Sequence, residues 1–254
     1  MRKTLFMGLS DGAKVDSLRR ANVGVISNEQ VVASSQIDTT KWTSLITDLR
    51  DDLDKIRPGK GSAEKFSRIY LIDDFTASGT SLIRDSKSEG KYKGKLERFN
   101  GSVCQAKQTL VEKIGNFLED DWKLIVHHYV GTENAKSIIN QRYTEAVGKG
   151  INWFPHVEFT FGMILSTEVS LDKSSDHPFV KICKKYYNPS IVDRHSEESG
   201  DSDMTFGYGQ CALPVVLEHN TPNNSLPLLW AETLGVNGHH AMRPLFRRRQ
   251  RHGD

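Results

Sequence analysis

Thirteen residues, Ile69 to Ser81, constrain this chain more than any other stretch. Ile69 to Ile72 form a short apolar run, Asp73 and Asp74 place two carboxylates side by side, and a hydroxyl-rich turn follows with Thr76, Ala77, Ser78, Gly79, Thr80 and Ser81. The run reads as a buried strand, and the turn as the entry to a helix. Amides at a helix entry have no intrahelical acceptors, so such a turn suits a phosphate dianion. Gly79 supplies a position for positive φ and for close approach of an anion. Asp73 and Asp74 would repel that phosphate, so their natural partners lie beside it: vicinal hydroxyls, or a hard cation such as Mg²⁺. The plainer reading is an acidic pair capping a tight turn.

The segment resembles the PRPP-binding loop of type I phosphoribosyltransferases, a hydrophobic strand and acidic pair followed by a loop ending Ala-Thr/Ser-Gly-x-Thr/Ser. The resemblance implies that Asp73 and Asp74 hold the ribose hydroxyls of phosphoribosyl pyrophosphate (PRPP), with Mg²⁺ nearby, and that Thr76 to Ser81 cradle its 5′-phosphate. A second turn, Ser10-Asp11-Gly12, follows the apolar Leu5 to Met7 and precedes a helix. In the same family an upstream loop of this kind receives the pyrophosphate, which makes Ser10, Asp11, Gly12 and Lys14 candidates. A plain Ser/Asp helix N-cap is the alternative there.

A wider likeness covers residues 4 to 230. Gly8 to Arg20, Asp73 to Thr80, His127 to Thr132, Gly207 to Cys211 and Asn220 to Trp230 are similar to segments of the phosphoribosyltransferase-like effectors of bacterial conflict systems. That resemblance implies a toxic effector of retron-type antiviral defence, held in check by a reverse transcriptase with its RNA–DNA hybrid and accompanied in some systems by a winged-helix protein. A catalytically inert PRPP- or nucleotide-binding subunit is the competing reading. The early start of the first strand leaves no room for an N-terminal hood, and no acceptor-base pocket is identifiable, which disfavours housekeeping nucleotide salvage.

The chain of 254 residues suits a single domain. Strands alternating with helices predict an α/β, doubly wound, mostly parallel sheet flanked by helices. We divide it into a core over about 1–170, an extension over about 171–230 and a basic tail at 247–254. Strands are expected at Thr4–Gly8, Val23–Ile26, 69–72, Trp122–Val130, Val157–Leu165 and Gln210–Glu218. Helices are expected near Ala13–Arg20, Thr40–Ile56, Ser102–Glu119, Gly131–Tyr143 and Pro178–Tyr187, with a capping box at Ser27–Gln30. Asp85–Gly101 reads as an inserted surface loop. In His127-His128 the strand alternation sends one ring inward and one to the rim, and His128, nearer the strand end, is the one to test for a part in the site. Asn220, Asn223, Asn224 and Trp230 are either ligand contacts or architecture.

Net charge is +2, so wholesale nucleic-acid binding does not follow from the total. Arg247, Arg248, Arg249 and Arg251 form a local cluster, read as a solvated tail or as phosphate contacts. Cys104, Cys183 and Cys211 lack metal-ligand spacing and read as reduced, buried thiols of a cytoplasmic protein. No run approaches the roughly 18 to 20 apolar residues of a membrane span.

Overall fold

The computed structural model describes residues 1–86, 91–193, 196, 202–236 and 238–246. They fall into two compact units, Met1–Gly131 with Ala135–Ile164, and Thr132–Asn134 with the chain from Leu165 onward.

The first unit is built on a five-stranded sheet in the order β2-β1-β3-β6-β7. Its strands are β1 (Thr4–Gly8), β2 (Val31–Val32), β3 (Phe66–Thr76), β6 (Leu118–Thr132) and β7 (His156–Leu165). The pairings β1–β2, β1–β3 and β3–β6 are parallel, so the sheet is mostly parallel and the carboxyl ends of β1, β3 and β6 share one edge. Ligands of open α/β sheets bind outside that edge.

Both faces of the sheet are largely covered at β1, β3 and β6, which explains their apolar runs, whereas β7 at the edge has no fully buried residue. On the larger face Leu5, Met7, Ile69, Leu71, Leu124 and Val126 pack against α2 (Thr39–Ile56) and α3 (Lys95–Ile114). Phe6 and Ile72 point the other way, toward Ala13 and Val15 at the start of α1 (Val15–Ala21). α2 buries Trp42, Leu45, Ile46 and Leu49, one stripe at helical spacing, and Asp38 caps it by accepting from the Lys41 amide at 2.7 Å. α3 buries Leu96, Phe99, Val103, Ala106 and Leu110, and α4 (Glu133–Gly148) follows β6 directly.

The structure corrects four expectations. Val23–Ile26 is a turn with Val23 82% exposed, because the chain reverses at Gly24 (φ +83°); the edge strand is Val31–Val32 instead. Asp85–Gly101 is not a loop throughout: β4 (Arg84–Ser86) pairs antiparallel with β5 (Lys91–Lys93), and α3 begins at Lys95. Its polar first turns hid a helix whose apolar stripe starts at Leu96. Consequently no helix follows Ser81, and the turn after β3 leads into the β4–β5 hairpin. Gln210–Glu218 is irregular, since Gln210 and Ala212 lie at φ +52° and +53°, with isolated bridges Leu213–Ser225 and Leu217–Asn220.

The second unit contains α5 (Pro178–Tyr186) and α6 (Pro227–Trp230) around two small apolar clusters. Cys183 is buried there, whereas Cys104 is exposed on α3 and Cys211 half-buried, so only one thiol meets the expectation of burial. Among the described residues no helix is long and apolar enough to cross a membrane. The arginines 247–249 and 251 lie outside the described residues.

Candidate functional site at the carboxyl edge of the sheet

β3 carries the acidic pair into this edge, and strand alternation separates the two side chains. Asp73 follows Ile69 and Leu71 onto the large-core face and is 3% exposed. Asp74 follows Tyr70 and Ile72 onto the α1 face and is half-buried, close enough to Tyr129 for its charge to act on the phenol.

Asp73 is held by two side chains and adjoins a third. The Ser10 hydroxyl of the β1–α1 loop donates to Asp73 Oδ1, the Lys95 ammonium of α3 donates to Oδ2, and His128 of β6 is its register partner. Burial pushes the Asp73 carboxyl up and is the largest single influence on it. The Lys95 charge, helped by the hydrogen bonds from Lys95 and Ser10, outweighs burial and holds the group below the usual carboxylate range. His128 is 1% exposed and stacks on Phe161 at 5.6 Å between centroids. Burial lowers its pKa to about 4 against the opposing pull of Asp73, so the ring is neutral at pH 7, and its Nδ1 has no hydrogen-bond partner. His127 faces the other way, with Nδ1 2.9 Å from Thr160 Oγ1.

The β1–α1 loop closes on Asp74. Ser10 Oγ also reaches Asp74 Oδ1 at 3.5 Å, and a Cβ on Gly12 would lie 2.2 Å from Asp74 Oδ2. Gly12 is therefore the residue that lets backbone rest on the carboxylate. Asp11 and Lys14 are exposed beside it, with Lys14 left-handed at φ 43°.

The turn after β3 keeps its hydroxyls together. Ser78 Oγ and Thr80 Oγ1 are 2.9 Å apart, and the Thr80 amide reaches Ser78 Oγ at 3.4 Å. Thr76 and Ala77 are buried, Ser78 and Thr80 half-buried, and Ser81 exposed. Gly79 takes φ +70°, as the turn requires, but the space its missing Cβ leaves faces α4: an added Cβ would sit 3.0 Å from the Ala135 carbonyl. Its need for glycine is a packing need. The far side of the turn is pinned, since Ser81 and Leu82 carbonyls accept from the Lys95 and Leu96 amides at 3.1 and 3.2 Å, and Arg142 donates to the Ile83 carbonyl at 2.9 Å.

Thus Ser10, Gly12, Asp73, Asp74 and the 76–81 turn come together at one edge, and the structure adds Lys95. Nothing in the pattern around Lys95 singles it out, because it is one of several lysines in a polar stretch. Two shallow clefts of about 370 and 350 Å³ are lined by α1 and residues 23–33, with Arg19 and Asn28 common to both. Neither cleft is lined by the acidic pair, Lys95 or the 76–81 turn. In the second unit Trp230 packs, donating its indole N–H to the Ser225 carbonyl at 2.9 Å, and Asn224 donates to the Tyr208 carbonyl at 2.9 Å; both side chains serve the architecture.

No curated protein and no solved structure matches the chain. The family model PRTase-CE matches residues 13–248, a span that includes the acidic edge, the turn and α3, and the chain belongs to this phosphoribosyltransferase-like family.

Proposed function

We propose that the carboxyl edge of β1 and β3 binds PRPP or a related pentose phosphate, and that the protein is a ribosyl-transferring or ribosyl-hydrolysing effector. The observation that carries this reading is the convergence at one edge of a hydroxyl-lined turn after β3, a half-buried Asp74 and the Gly12 loop, joined through Ser10 to Asp73. In this reading Thr76 to Ser81 receive the 5′-phosphate, Asp74 accepts from sugar hydroxyls, and Ser10 to Lys14 face the pyrophosphate. No helix begins directly at the end of this turn, so in this reading the turn's own amides and hydroxyls supply the phosphate contacts.

The acids Asp11, Asp73 and Asp74 stand against Lys14 and Lys95, so a polyanion needs added positive charge here, which Mg²⁺ supplies when bound through phosphate oxygens. Among the described residues no cluster of three or more His, Cys, Asp or Glu side chains is arranged for a metal. Mg²⁺ held by one carboxylate, the ligand's phosphates and water needs no such cluster, and Asp74 fits that role. Asp73, with both oxygens engaged, does not.

Transfer at an anomeric carbon passes through an oxocarbenium-like state and asks for positioning and charge neutralisation more than for a nucleophile. The chain's part is to fix the 5′-phosphate in the turn, orient the sugar against Asp74 and hold water out beneath the Ser10–Lys14 loop. Calorimetric titration of PRPP with Mg²⁺ tests the reading. Wild type should bind, and Ser78→Val/Thr80→Val should weaken binding at least tenfold; equal affinity would overturn it.

We further propose, on the sequence likeness to conflict-system effectors, that a reverse transcriptase with an RNA–DNA hybrid restrains this activity. Affinity purification from the native host should recover both, and a nucleic-acid-free preparation would contradict this.

A further inference from the structure

Lys95 sits where a helix disfavours it. It is the first residue of α3, at the positive end of the helix dipole, where a cation is repelled. Its backbone amide donates to the Ser81 carbonyl at 3.1 Å, while its side chain, 18% exposed, reaches across to Asp73 Oδ2. The other oxygen of Asp73 takes the Ser10 hydroxyl. One residue thus touches the phosphate turn through its backbone and the β1–α1 loop through a single intervening carboxylate. Gly94 makes the approach possible: at φ +133° it has no Cβ, which would lie 2.5 Å from the Leu82 carbonyl.

We propose that Lys95 is a positioning residue, which through Asp73 holds the Ser10–Lys14 loop against the acidic edge and leaves ligand hydroxyls to Asp74. This rests on the pentose-phosphate reading of the site and divides the acidic pair by role. Asp73 is enclosed beneath the edge with both oxygens engaged, and Asp74 turns to the opposite face under Gly12. A buried carboxylate deprived of its cation is costly, whereas a neutral pair of similar shape in the same place is tolerated. Removing the ammonium alone should therefore loosen the loop, and neutralising the carboxylate as well should tighten it again.

The test compares wild type, Lys95→Met and Lys95→Met/Asp73→Asn in the full chain. Hydrogen–deuterium exchange across residues 10–14 should quicken about tenfold in Lys95→Met, since couplings of this kind run near 1.4 kcal/mol, a factor of ten, and should slow again in the double variant. The affinity for PRPP with Mg²⁺ should follow the same order, falling about tenfold and then recovering. If Asp73 is itself a ligand, adding Asp73→Asn lowers affinity further, which overturns the proposal. So does a Lys95→Met protein that melts earlier yet keeps wild-type loop exchange and affinity, because its role is then stability alone. If wild type binds no PRPP, the pentose-phosphate reading fails, and loop exchange by itself still upholds or overturns the Lys95 device.

Discussion

Asp73 and Asp74 are covalent neighbours in different media. Asp73 lies on the core side of β3, beneath α3, engaged by a lysine and a serine and adjoining a neutral histidine. Asp74 lies on the α1 side, half-buried under the glycine of a short loop. Strand alternation alone creates the division. An acidic pair at a strand end is therefore two residues with separate physical tasks, one governed by desolvation and pairing, the other by access to solvent.

The contrast is sharpest in stability. Asp73→Ala leaves the Lys95 charge beneath the sheet edge without its partner and should cost about 3–5 kcal/mol. Asp74→Ala should cost roughly 1 kcal/mol or less, as for a site away from the core. Urea denaturation followed by circular dichroism measures both, and equal losses would erase the distinction.

Titration tests the Asp73 side next. His128 faces Asp73 from β3, Lys95 from α3 and Phe161 from β7, with His127 beside it on β6. Its folded pKa of about 4 lies below the ordinary 6.5, so between these values the unfolded chain binds more protons. The stability from keeping this ring neutral is complete above pH 6.5 and is lost as pH falls toward 4, by on the order of 3 kcal/mol. The Asp73 carboxyl is shifted below its ordinary value, so its contribution persists above the unfolded pKa near 4 and disappears only at lower pH. The two windows are separate. His128→Gln should flatten stability between pH 6.5 and 4 while leaving the more acidic decline.

Smaller effects sharpen the Asp74 side. Gly12→Ala drives a Cβ into the Asp74 carboxylate and should cost about 1–3 kcal/mol, with PRPP affinity falling about tenfold. Gly79→Ala should cost about 1–2 kcal/mol for its left-handed backbone, read as a lower melting temperature, with the strain directed at α4.

Legibility followed the physics of each segment. Apolar runs made β1, β3, β6 and α2 readable, because burial of the central strands and of one helix stripe dictates the residues directly, and β7 was readable although none of its residues is fully buried. The edge strand Val31–Val32 was not readable, since two residues carry no period and Val23, Val25 and Ile26 make a longer β-branched run nearby, of which Val23 and Val25 remain exposed. α3 was misplaced because its first turn, Lys95 to Arg98, is mostly charged, and with it went Lys95. The acidic pair, the turn and the Ser10 loop were visible as motifs, but their pairing through Ser10 and Asp73 is a tertiary fact. Residues 210–218 read as a strand, while Gln210 and Ala212 adopt positive φ and only isolated bridges at Leu213 and Leu217 form.

The most direct test of the account is a crystal structure of the full chain with PRPP and Mg²⁺. The 5′-phosphate should lie within hydrogen-bonding distance of the Thr76–Ser81 turn, the pyrophosphate against Ser10–Lys14, and the ribose hydroxyls on Asp74, with Lys95 still on Asp73. Ligand bound elsewhere, for instance in the cleft lined by Val15, Arg19 and Ala33, or ribose hydroxyls on Asp73 with Lys95 displaced, would contradict it.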